Sequence, residues 1–102
     1  MNKFNGTRGN WKRGKHFSYI VSDERPPRKT YTDDNYESEK EYYGGYLVCE
    51  SIAIKEDANL LSAAPKMLEA LQNIENDANQ IPEHAWEMVK DAILCAFGDD
   101  LK

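Results

Sequence analysis

The stretch YLVCESIAIKEDANLLSAAPKMLEALQNI, residues 46–74, changes its apolar period partway along. Tyr46 to Ile52 is compact, apolar and rich in β-branched and aromatic side chains, which is the pattern of a buried strand. From Lys55 the apolar residues recur every three or four positions: Ala58, Leu61, Ala64, Leu68, Leu71 and Ile74. That spacing puts them on one helical face, with Leu60, Met67 and Ala70 widening the stripe. Glu56 and Asp57 fall where negative charge complements the helix dipole. Pro65 removes a backbone donor inside this run, which leaves either a kink or two nearly continuous helices. We favour two helices.

Upstream, His16–Ser22 alternates, with Phe17, Tyr19 and Val21 on one face, and reads as a strand. Trp11, between Gly9 and Gly14, marks a short first strand. Asp23–Pro27 is a turn, Arg28–Thr32 reads as a short edge strand, and the acidic run Asp33–Glu41 reads as a mobile loop extending to residue 43. The segment 46–52 is then the central strand. Downstream, Pro82 starts a last helix whose face carries Ala85, Trp86, Val89, Ala92, Ile93, Ala96 and Phe97, and Gly98 ends it. The expected fold is α+β: one domain over residues 1–102, with a three- to four-stranded antiparallel sheet in 1–54. Two antiparallel helices in 55–98 pack on the sheet, and a polar tail occupies 99–102.

Composition narrows the function. At 102 residues, 40% apolar and 30% charged, the chain has the make-up of one globular domain and is too apolar to be wholly disordered. No run approaches a membrane span, and the basic N-terminus lacks the apolar segment of a secretory signal. Two cysteines make neither a disulfide framework nor a metal set. Cys49 reads as a packing residue and Cys95 as buried and inert. His16 and His84 stand in no metal-binding spacing, and a Cys–His pair, for example Cys49 with His16, is left open by the sequence. The expectation is a protein that is not an enzyme and uses no cofactor.

Charge is divided unevenly. Met1–Tyr31 carries eight bases and two acids, a balance of +6, whereas Thr32–Lys102 carries -11. The segment Gly6–Lys15 interleaves bases, glycines and Trp11. Arg8 and Arg13 offer forked donors for phosphate, Trp11 a face for a base, and Asn59 stands near a helix start. These four residues form the candidate ligand site; the competing reading has Trp11 capping the core and the arginines in solvent or salt bridges. The acidic remainder opposes binding of a nucleic-acid polymer. The broad apolar helical surface over a small sheet points to a homo-oligomer.

Thr7-Arg8-Gly9-Asn10-Trp11 resembles the TPGPW opening of a group of small phage and prophage proteins. Asp57-Ala58-Asn59-Leu60-Leu61-Ser62-Ala63-Ala64-Pro65-Lys66-Met67-Leu68-Glu69-Ala70-Leu71 is similar to the ANARLIAAAPELLEAL helix of that group. Ile81–Trp86 resembles a recurrent start of its next helix. The resemblance implies a phage accessory protein acting in the host bacterial cytoplasm. In that context the expectation is a binder that counters host defence, sequestering a nucleotide-derived signal such as a cyclic nucleotide or an ADP-ribose derivative. The alternatives are an inhibitor of a host defence protein, docking through Asp33, Asp34, Glu37 and Glu39, and a structural or regulatory phage protein without a ligand.

Overall fold

A computed structural model describes residues 4–98 and has an α+β fold. The elements are β1 (Trp11–Arg13), β2 (Ile20–Ser22), α1 (Asp33–Tyr43), β3 (Tyr46–Cys49), α2 (Lys55–Ser62), α3 (Ala64–Gln72) and α4 (Glu83–Phe97). They fall into two compact units, residues 4–65 and 66–98, with the boundary inside α3. The tail expected at 99–102 lies outside the described residues.

The three strands form one antiparallel sheet in the order β1-β2-β3. The central strand is therefore β2, and 46–52, expected at the centre, lies at the edge and is shortened to Tyr46–Cys49. All of β2 is buried, with Ile20, Val21 and Ser22 at 0% exposure. Full burial of Ile20 and Val21 contributes about 1.5–3 kcal/mol each. A register shift between Ile20 and Val21 adjusts β2 to β3. The expected strand 16–22 begins late because His16 Nδ1 accepts the Ser18 N–H at 3.1 Å and ties residues 16–18 into a turn.

The acidic run is not a loop: it is α1, an eleven-residue helix. Thr32 Oγ1 accepts the Asn35 N–H while Asn35 Oδ1 accepts the Thr32 N–H, a reciprocal cap that satisfies two exposed donors. Asp33 and Asp34 lie in the first turn, and Gly44 closes the helix at φ 87°. The helix buries Tyr36 and Glu39 and packs against β3. Arg28–Thr32 is not an edge strand either; it forms the turn leading into α1.

Pro65 occupies the second position of α3, so the helical run is two pieces separated by Ala63. Helix α2 packs on β1 and β2 through its buried Ala58. Pro82 precedes α4 and Gly98 ends it in a left-handed conformation.

Candidate binding surfaces

All six tyrosines of the chain lie in residues 4–65, and their rings form two clusters. Tyr31, Tyr36 and Tyr46 meet edge to face, with centroids 4.8 Å apart for Tyr31–Tyr36 and 5.9 Å for Tyr36–Tyr46. Tyr19, Tyr42 and Tyr43 form the other, with Tyr43 4.7 Å from each partner. Two arginines lock the first cluster. Arg25 lies 4.9 Å from the Tyr36 centroid and bridges Asp33 at 2.7 Å and Glu37 at 3.2 Å. Arg28 lies 4.5 Å from the Tyr31 centroid.

Arg28 also belongs to a network at the edge of the sheet. Glu39 Oε2 accepts from Arg28 Nη1 and from the Tyr31 hydroxyl, both at 2.6 Å. Glu39 Oε1 accepts the Leu47 N–H at 2.7 Å, and Arg28 Nη2 donates to the Leu47 carbonyl at 2.7 Å. Burial opposes the charge on Glu39, but bonds from Arg28, Tyr31 and the Leu47 amide overcome it and hold its pKa below the ordinary value. The same carboxylate, with desolvation, raises the pKa of Tyr31.

Above this network lies an open groove of about 600 Å³ between α1 and β3. Tyr31, Tyr42 and Tyr43 flank it, Glu39 and Leu47 contribute to its lining, and Glu50 adds an anion. Tyr42 is 66% exposed. Among the described residues Glu50 has no ion-pair partner; its contacts are bonds from the Tyr43 hydroxyl at 3.3 Å. A second hollow, about 590 Å³, runs along the acidic side of α1 past Asp34, Glu37 and Glu41 to Lys15 and Lys40. Asp33, Asp34 and Glu37 are therefore surface groups, as expected, whereas Glu39 is a structural carboxylate unavailable to a partner.

The four nominated ligand residues are not gathered around one hollow. Arg8 is exposed, and its carbonyl accepts from the Ser22 hydroxyl. Trp11 is half-buried and donates Nε1–H to the Thr7 carbonyl at 3.1 Å. Asn59 is exposed and is the fifth residue of α2, beyond the first-turn amides that would hold an anion. Arg13 lines a hollow of about 340 Å³ with Lys12, Gly14 and Phe17. That Lys12 and Phe17 neighbour Arg13 in this hollow was not legible in the sequence, because spacing does not reveal how the turn at 16–18 lies against β1.

His16 Nδ1 is engaged by Ser18, and Cys49 is half-buried, with desolvation pushing its pKa up against an opposing backbone bond at Ile20. Cys95, expected to be buried, is exposed on α4. In residues 66–98, Leu71, Ile74, Trp86, Ile93 and Phe97 surround an apolar hollow of about 250 Å³, and neither α3 nor α4 has a fully buried residue. No described helix is long and apolar enough to cross a membrane.

A small α+β protein with open polar and aromatic grooves is the class these features define. Residues 1–99 match the family described as Salmonella phage P22 protein Y8K6, and the chain belongs to that phage protein family. No curated protein and no solved structure matches it. Phage origin, expected from the opening and helix motifs, holds at the level of the family.

Proposed function

We propose that this phage protein acts by stoichiometric binding and counters a host defence by docking on a host protein. The observation that carries the reading is the α1–β3 groove, where exposed Tyr42 and half-buried Tyr31 and Tyr43 stand beside the carboxylate of Glu50, which accepts from the Tyr43 hydroxyl and has no ion-pair partner among the described residues. Tyrosine supplies large contact area at low entropic cost, and it dominates many protein interfaces. Asp34 and Glu41, which have no ion-pair partner among the described residues, add carboxylates along α1 in a hollow that Lys15 and Lys40 also line. The fitting partner presents lysine or arginine to the groove, where a cation meets both a carboxylate and aromatic faces. The network of Arg28, Glu39 and Leu47 keeps the groove wall rigid, which lowers the ordering cost of binding.

The test is capture of host proteins by the tagged chain, with Tyr42→Ser and Glu50→Gln beside the parent. The expected result is one basic partner, lost with Tyr42→Ser, weakened by Glu50→Gln, and released as salt rises. Expression of the chain should also restore phage growth on a host carrying the defence, and Tyr42→Ser should abolish that. Equal capture and equal rescue by both variants would remove the groove from the function.

A further inference from the structure

The corner joining β1 to β2 carries a second kind of surface. Lys12, Arg13, Gly14 and Phe17 surround one open hollow of about 340 Å³. Neither Lys12 nor Arg13 has an ion-pair partner among the described residues, whereas Arg25 and Arg28 are each bound to carboxylates. The backbone of the corner is fixed. Gly14 N–H donates to the Tyr19 carbonyl at 2.9 Å and Lys15 N–H to the Tyr43 carbonyl at 2.8 Å. A side chain at Gly14 would collide with the Tyr43 carbonyl, so the corner sits hard against the end of α1. Phe17 is half-buried, its ring packed on His16 at 4.6 Å between centroids.

Two unneutralised cations beside an anchored aromatic ring form a surface suited to a ligand that is anionic at one end and planar at the other. We propose that the β1–β2 corner binds a nucleotide, with Lys12 and Arg13 on its phosphate and Phe17 against its base. The proposal rests on the stoichiometric-binding reading and is independent of the α1–β3 groove. It also moves the phosphate-binding role away from Arg8 and Asn59, which lie outside this hollow, and keeps it at Arg13.

Calorimetric titration of the full chain tests it, with adenosine monophosphate, adenosine, inorganic phosphate and a short single-stranded oligonucleotide as probes. The expected result is saturable one-to-one binding of adenosine monophosphate, with adenosine and phosphate each at least about tenfold weaker. Lys12→Ala and Arg13→Ala should each weaken the nucleotide by about tenfold, and Phe17→Leu should weaken it while leaving phosphate unchanged. Lys12 and Arg13 are exposed, so unchanged urea midpoints should accompany the loss. No saturable binding of adenosine monophosphate, unchanged affinity in both cation variants, or binding confined to the oligonucleotide would overturn the proposal. Host-protein capture by Arg13→Ala separates the two readings: it should match the parent even when nucleotide binding is lost.

Discussion

The carboxylate of Glu39 in α1 accepts the Leu47 N–H of β3 at 2.7 Å, so a side chain takes the place that a neighbouring strand would fill. Arg28 completes the substitution by donating to the Leu47 carbonyl. An open strand edge is a template for aggregation, and here a charged pair covers part of it. The same pair forms one side of the tyrosine groove, so protection of the edge and shaping of the surface depend on the same atoms.

Glu39→Ala should therefore destabilise the protein by about 2–4 kcal/mol, because it leaves a guanidinium, a phenol and a backbone amide without their acceptor. Urea denaturation followed by tyrosine fluorescence measures this. A loss below about 0.5 kcal/mol would show that the network contributes nothing.

Acid should act through the same carboxylate. Since the folded pKa of Glu39 is lowered, its contribution is present above the ordinary glutamate pKa of about 4.3 and is lost as pH falls through the folded value. Melting temperature should drop below about pH 4.3, and Glu39→Gln should show a shallower drop over that window. Parallel pH profiles for the two proteins would contradict the assignment.

Thr32→Ala removes the acceptor for the Asn35 N–H and should cost about 1 kcal/mol. Thermal denaturation reads the change, and Thr32→Ser should recover most of it.

Gly45 follows the helix cap and lies against the core. A β-carbon there would stand 2.6 Å from Cγ2 of Val21, which is fully buried and cannot yield. Gly45→Ala should cost about 1–3 kcal/mol by overpacking, measured as a shift in urea midpoint.

The thiols should separate in reactivity. Cys95 is exposed, whereas Cys49 is half-buried with a raised pKa, so an aromatic disulfide reagent at neutral pH should titrate one thiol quickly. Urea should release the second, and Cys95→Ser should abolish the fast phase.

Much of the architecture was legible in local pattern. The alternation around Val21, the 3-4 spacing from Ala58 to Leu71 and the placement of Pro65, Pro82 and Gly98 report covalent and steric constraints that act within a few residues. Helix α1 was missed because its residues are mostly polar and carry little hydrophobic periodicity. The readable signals were Thr32 with Asn35 as a cap, acids in the first turn and Gly44 at the end. Arg13 was legible as a candidate cation because it stands in a basic, glycine-rich segment, but its neighbours in the hollow were not.

The sequence by itself determined an α+β chain, its helix stops and starts, its uneven charge and its phage kinship. Tertiary structure alone decided which strand is central, which carboxylate is buried and which cations lack an ion-pair partner among the described residues. Those properties depend on contacts between residues distant in sequence, such as Arg28 with Leu47, Glu39 with Leu47 and Gly14 with Tyr43. Local propensity carries no information about them, because the free energy that selects each partner arises only when folding removes water from both.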